Sequence, residues 1–118
     1  RALGVMHYFS ADAALARRYV ELGFLISIHT SVTYPKNTQL QDVARTLPLE
    51  CLVVETDSPY GAPQSKRGKR NEPAYVLEAV KAIAELRGEP VERVAEVTTE
   101  NACRLFGVSI ATAAEVRA

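Results

Sequence analysis

The sequence has only two cysteines, no excess of charge of either sign, and no apolar run near the ~20 residues that a membrane-spanning helix needs. Each shortage removes a class of protein. Cys51 and Cys103 stand in apolar surroundings without CxxC spacing, which argues for buried free thiols rather than a disulfide or a zinc knuckle. Fourteen Lys and Arg balance fourteen Asp and Glu, so no global field gathers nucleic acid or an anionic membrane, and any anion-binding surface has to be local. The opening residues, Arg1-Ala2-Leu3-Gly4, are no signal peptide, and a cytoplasmic location with no membrane partner is the expectation. The chain lacks Met at position 1 and enters an apolar segment at once, which suggests a piece of something longer.

What remains is the composition of a globular protein, with 118 residues, 47% hydrophobic and 24% charged. That is the size of one domain, taken here as residues 1–118. Gly4 to Phe9 is a short apolar run, and Ala11 to Leu22 follows with Leu15, Tyr19 and Leu22 at helical spacing before Gly23. Phe24 to His29 is the next β-prone run, a turn-rich segment leads to Pro35, and Lys36 to Leu47 reads as a helix closed by Pro48. Leu49 to Thr56 is the densest β-branched run, and Asp57 to Glu72 is a long loop rich in Pro, Gly and cations. From Pro73 to Gly88 an apolar stripe through Val76, Val80 and Ile83 predicts a helix, with Asn71 as a candidate N-cap. Pro90 suits the first turn of a short helix, and Thr98 or Thr99 could cap a last one ending at Gly107.

Strand and helix alternate, which predicts parallel βα units with strands covered on both faces. Three such units are visible. A closed βα barrel takes eight strands and about 250 residues, so three units are less than half of one. The structural alternative is an open three-layer sheet. Three parallel strands alone would leave both edges unpaired, and a missing half is the simpler explanation.

Three features could carry chemistry. In Val53-Val54-Glu55-Thr56-Asp57, strand alternation puts Glu55 and Asp57 on one face, and Asp57 falls where a parallel strand gives way to a loop, the usual place for functional groups in such folds. The plain alternative is a turn-initiating Asp beside Ser58-Pro59, with Glu55 in a structural ion pair. His7, near the end of the first strand, could give a nitrogen to a metal while Asp57 gives the harder oxygen, although a lone strand His is commonly a hydrogen-bonded core residue. His29, ending the second strand, is a similar candidate for a pocket. Lys66-Arg67-Gly68-Lys69-Arg70 places four cations on the loop after Asp57, suited to phosphate but also to a solvated loop.

The segments Leu52-Val53-Val54-Glu55-Thr56-Asp57-Ser58-Pro59-Tyr60, Ala62-Pro63 and Arg67-Gly68-Lys69-Arg70-Asn71-Glu72-Pro73-Ala74-Tyr75 resemble the signature of TatD-type hydrolases. His7-Tyr8-Phe9-Ser10, Val32-Thr33-Tyr34-Pro35-Lys36-Asn37 and Thr99-Glu100-Asn101-Ala102-Cys103-Arg104-Leu105-Phe106 follow the same order, so the resemblance covers about Gly4 to Gly107. It implies the C-terminal part of a TIM-like α/β barrel of the metal-dependent hydrolase type, with about three βα units plus C-terminal helices. It further implies hydrolysis of DNA phosphodiesters with divalent metal ions, whether Mg, Mn or Zn. On this map His7 and Asp57 are metal ligands, Asp57 also orienting or deprotonating the attacking water, and Glu55 supports them from behind. Arg67, Lys69 and Arg70 are phosphate-contact candidates on charge.

The departures carry expectations of their own. The family's first-strand His-x-His pair, its mid-barrel Glu and a further His have no match here, so the chain alone is predicted inactive, with the missing N-terminal half of the barrel as a partner beside the DNA substrate. Ala11 and Asp12 stand where a Gly often follows, His29 where a small residue is usual, and Gly61 where Leu is preferred. Two other functions compete: a nucleic-acid-binding remnant that uses Lys66 to Arg70 without metal, and an amidohydrolase acting on a non-nucleic ester or amide.

Overall fold

The computed structural model describes residues 2–110. Three strands, β1 (Gly4–Met6), β2 (Phe24–His29) and β3 (Leu52–Glu55), form one parallel sheet in the order β1-β2-β3. Helix α1 (Ala13–Glu21) joins β1 to β2, α2 (Thr38–Thr46) joins β2 to β3, and α3 (Val76–Arg87) and α4 (Val91–Phe106) follow. The arrangement is three βα units with a helical tail, and β1 and β3 are open sheet edges. Among the described residues no helix is long and apolar enough to cross a membrane.

Local chemistry explains the element ends. Asp12 caps α1, its Oδ1 accepting the Leu15 N–H at 2.9 Å. Gly107 takes φ +68 after α4, and the Val108 N–H closes on the Cys103 carbonyl at 3.0 Å, satisfying a carbonyl that the helix leaves free. The guanidinium of Arg87 reaches back from α3 to the carbonyls of Ala44 (3.0 Å) and Leu47 (2.6 Å) at the end of α2, with Glu89 holding its Nε at 2.7 Å. A cation at a helix C-terminus meets the orphan carbonyls there.

The sheet has two unlike faces. Ile26, Ile28 and Leu52 are buried in the main core with Val43, Leu47, Ile83 and Val94 from the helices, and Met6 and Val54 pack beside them. Parity then sends Val5, Leu25, Ser27, His29, Val53 and Glu55 to the opposite face, where parallel register sets Ser27 against Val53 and His29 against Glu55. That is the face a closed barrel would enclose. Asn101, 1% exposed on α4, locks the helical tail to β3 by donating to the carbonyls of Leu49 (2.9 Å) and Leu52 (2.7 Å).

Several sequence expectations need correction. β1 stops at Met6, because the chain turns at His7 and Tyr8 takes φ +49. Residues Leu49–Cys51 form a 3-10 turn ahead of β3 rather than part of the strand. Residues 91–106 are one helix: Thr98 is no cap but an interior residue whose hydroxyl bonds back to the Val94 carbonyl at 2.8 Å. Asn71 does not cap α3; it is buried and donates to the carbonyl of Tyr60 at 2.8 Å, pinning the long loop. Cys51 and Cys103 are free, as expected, but only half-buried.

Candidate metal centre

The C-terminal ends of the three strands meet at one rim of the sheet. Glu55 ends β3, and its carboxylate reaches across the end of β2 to the turn after β1. One oxygen, Oε2, accepts from His7 Nδ1 at 2.6 Å, and the other, Oε1, accepts the Tyr8 backbone N–H at 2.6 Å. Both acceptor sites aimed at that turn are therefore committed. The His7 ring is well exposed, at 72%, while Glu55 is only 16% exposed. With its Nδ1 proton held by a carboxylate, the neutral ring carries its lone pair on Nε2, on a side chain that is largely exposed. This is the arrangement in which a carboxylate fixes the tautomer and raises the basicity of a ligating imidazole.

Asp57 lies two residues beyond β3, in an antiparallel bridge with Tyr60, whose N–H bonds the Asp57 carbonyl at 2.8 Å. Its carboxylate is exposed and makes no hydrogen bond or ion pair among the described residues. Glu55 turns to His7 while Asp57 lies in the loop beyond β3, and both carboxylates bear on His29. The two expected metal ligands thus come from neighbouring parts of the rim, one oriented by Glu55 and one unengaged.

His29 sits beneath them. It ends β2, between β1 and β3, and is 2% exposed. The Tyr8 ring lies over its imidazole with centroids 4.3 Å apart and planes tilted 33°. Its Nδ1 accepts the Ser31 N–H at 2.9 Å, so the neutral ring must carry its proton on Nε2. Among the described residues that buried Nε2 has no hydrogen-bond partner. An unpaired buried donor costs about 1–3 kcal/mol. Burial pushes the His29 pKa below its ordinary value, against the opposing pull of Glu55 and Asp57 and with a smaller push from His7.

Gly61 makes room for this ring. It adopts φ +64, and a Cβ there would stand 2.8 Å from His29 Cε1, 3.2 Å from Nε2 and 4.0 Å from the Asp57 Cβ. Thr30 and Asn71 hold the same turn, the Thr30 hydroxyl donating to the Gly61 carbonyl at 2.8 Å.

The basic loop does not act as a block. Arg67 stacks on Tyr34, its guanidinium carbon 4.0 Å from the ring centroid, and both line a cavity of about 720 Å³ with Tyr8, Ser10, Lys36 and Gln64. Lys66 turns instead toward Tyr75, 5.6 Å from that ring. Lys69 and Arg70 are exposed, and Arg70 borders a separate hollow with Ser58, Pro59 and Asn71. Sequence reasoning missed the roles of Tyr8 and Tyr34, for which no periodic signal exists. It also left the partner of Glu55 open.

The donor set suits part of a metal site. An imidazole with a free Nε2 and a carboxylate backing it, beside an uncommitted carboxylate, is the nitrogen and oxygen chemistry of a divalent cation. Among the described residues no group of three or more potential ligands is brought together, so a cation held by His7 and Asp57 would need further donors.

Comparison with known proteins gives this geometry its context. A family model described as TatD related DNase matches residues 1–107. The uncharacterized metal-dependent hydrolase YcfH of Escherichia coli K12 is 45% identical over 114 residues, covering 97% of this chain and 43% of the relative. YabD of Bacillus subtilis, another uncharacterized metal-dependent hydrolase, is 40% identical over 106 residues, 90% of this chain and 42% of its own. The crystal structure of YjjV, a TatD homologue from E. coli K12, superposes with a TM-score of 0.82 at 35% identity, covering 90% of this chain and 41% of that one. A TatD family hydrolase from Entamoeba histolytica shares the fold at TM-score 0.73 and 18% identity, covering 86% of this chain and 41% of its own. The chain thus spans less than half the length of each.

Proposed function

The chain belongs to the TatD-related DNase family, and from that membership we propose that it supplies the late-strand side of a metal-dependent hydrolase barrel that cleaves DNA phosphodiester bonds. The observation that carries the reading is the 2.6 Å pairing of His7 Nδ1 with Glu55 Oε2, on an imidazole 72% exposed at the same rim of the sheet as Asp57. His7 and Asp57 would hold the cation, with Glu55 fixing the His7 tautomer. A divalent ion there, whether Mg, Mn or Zn, supplies charge that polarises a phosphoryl oxygen and makes water easier to deprotonate. Asp57 would orient the attacking water, take its proton as the new P–O bond forms, and return a proton to the departing sugar oxygen as the old P–O bond breaks.

The surroundings favour a nucleic acid over a small ester or amide. Tyr34 and Tyr8 offer ring faces for stacking along the 720 Å³ cavity, and Arg67 and Lys36 offer cations on its wall. Aromatic platforms interleaved with cations suit single-stranded nucleic acid, since every base has a π-face and every link a charge. Arg67, over the Tyr34 ring and donating to Gln64, has further N–H groups for phosphate, and Lys69 and Arg70 add charge farther along the loop. The remaining ligands come from the early strands of the barrel, which this proposal treats as a required partner. Free thiols at Cys51 and Cys103 suit a reducing cytoplasm.

The test compares the complete barrel with its Asp57→Ala variant on a fluorescent single-stranded oligonucleotide, with added divalent metal or with chelator. Cleavage that needs metal and falls at least a hundredfold in the variant is expected. Cleavage that survives both chelator and substitution overturns the site. A second reading, metal-free nucleic-acid binding, draws on the two-donor count. Oligonucleotide affinity unchanged by chelator and by Asp57→Ala, with no cleavage, would favour it.

A further inference from the structure

Among the described residues, His29 carries the buried side-chain donor at the rim that lacks a hydrogen-bond partner. Its Nε2 is buried without an acceptor, and the imidazole is clamped between the Tyr8 ring and the open seat of Gly61. The Ser31 N–H on Nδ1 decides what this ring can do. A nitrogen that accepts a backbone N–H uses its lone pair, so the neutral ring has no second lone pair for a cation, and Nε2 is a donor only. His29 is therefore no metal ligand while that 2.9 Å bond stands.

The donor needs an acceptor, and the neighbours can be sorted by what they already hold. Glu55, in register with His29 and the carboxylate that bears on it most, turns both oxygens to the turn after β1, one to His7 and one to the Tyr8 N–H, and neither meets Nε2. Asp57 is the other carboxylate whose charge bears on His29, and it makes no side-chain bond among the described residues. His29 Nε2 and the Asp57 Cβ both lie within 4.0 Å of one point, the position a Gly61 Cβ would fill. Burial of Nε2 further favours an acceptor from the protein over one arriving from solvent.

We propose that His29 is a positioning residue for Asp57: its Nε2–H holds one oxygen of the Asp57 carboxylate so that the other is presented to the cation. The inference rests on the reading of Asp57 as a metal ligand. A ligating carboxylate with one oxygen fixed by a hydrogen bond loses less freedom when the ion binds, and such outer partners are worth about 10–100-fold in metal affinity. Glu55 on His7 and His29 on Asp57 then perform matching tasks, a carboxylate orienting an imidazole and an imidazole orienting a carboxylate. The second pairing draws on a β2 residue, so all three strand ends contribute.

The experiment uses the complete barrel and needs no substrate. Metal affinity is measured by calorimetry with Mn²⁺ or Zn²⁺ alone for the unsubstituted protein, His29→Phe, Asp57→Asn and the double variant, with His29→Gln as the variant that keeps a donor. His29→Phe is expected to weaken binding about tenfold or more, His29→Gln to recover part of that, and the loss to shrink in the Asp57→Asn background, where the carboxylate is gone. Histidine-selective ¹⁵N NMR on the metal-loaded protein reads the same contact directly: a protonated Nε2 on His29 whose proton moves upfield on Asp57→Asn. Additive losses in the cycle, or an Nε2–H resonance indifferent to Asp57→Asn, overturn the inference, and the NMR arm decides even where His29→Phe fails to fold. Failure of the unsubstituted barrel to bind either metal would instead refute the metal centre itself.

Discussion

Replacing Glu55 by Gln changes one oxygen into an NH₂ group with almost no change in shape, and the consequence runs through His7. Glu55 accepts from two donors, the Tyr8 backbone N–H and His7 Nδ1, each at 2.6 Å. The backbone donor cannot change character, so the Gln carbonyl is expected to keep Tyr8 and the amide NH₂ to face His7. Nδ1 must then become an acceptor, which moves the ring proton to Nε2 and removes the lone pair a cation needs. Hydrogen bonds to charged groups are worth about 1.5–3 kcal/mol and neutral ones about 0.5–1.5. Because the His7 ring is 72% exposed, its share lies at the low end, and a stability loss of about 1–2 kcal/mol is expected. The larger effect is on metal affinity, about 10–100-fold, or roughly 1.4–2.8 kcal/mol. Histidine-selective ¹⁵N NMR gives the tautomer and calorimetry the affinity, both on the complete barrel. A variant in which His7 keeps its Nδ1 proton and metal affinity moves by less than about twofold would refute the argument that Glu55 sets this ligand.

Asn101→Ala removes two buried hydrogen bonds from the β3 anchor and leaves a small void, so urea unfolding of the complete barrel should show a loss of about 2–4 kcal/mol, against almost none for the exposed Glu100→Ala. Gly61→Ala forces a Cβ against His29 at φ +64; a loss of about 1–3 kcal/mol in the same assay, together with shifted His29 resonances, is expected. The depressed pKa of His29, caused chiefly by burial, means that the unfolded chain takes up a proton near pH 6.5 that the folded ring still refuses. Its contribution to stability is whole above about pH 6.5 and declines as pH falls from there toward the lowered folded value. Unfolding curves from pH 8 to pH 5 should lose that part of their slope in His29→Phe, and an identical slope would contradict the assignment.

The elements were readable from local pattern because apolar runs and helical stripes are local properties. Leu25, Ile26 and Ile28 mark β2, and Val80 and Ile83 mark α3, without any knowledge of their neighbours. Errors arose where one residue type serves two purposes. Asn71 suits a helix cap and also a loop clamp, and the deciding factor is the Tyr60 carbonyl 11 positions away. Thr98 is a good cap by type, yet its hydroxyl can return to its own helix at Val94 and let the helix run on. At the site, the candidate residues could be nominated by type and strand position, but their pairings could not. His7 and Glu55 are 48 residues apart and meet only because parallel register sets β1 and β3 on either side of β2. The stacking of Arg67 on Tyr34 separates it from Lys69 and Arg70, which charge alone had grouped together.

Gly61 lies in the loop after β3 and His29 ends β2, yet they share one volume, and that couples the two positions. An imidazole at position 29 beside any side chain at position 61 would begin with a contact of 2.8 Å. In this chain the imidazole at position 29 therefore requires a residue without a side chain at position 61. The two positions are thus coupled through space, and transplanting either residue alone into a related barrel should give a poorer protein than transplanting both.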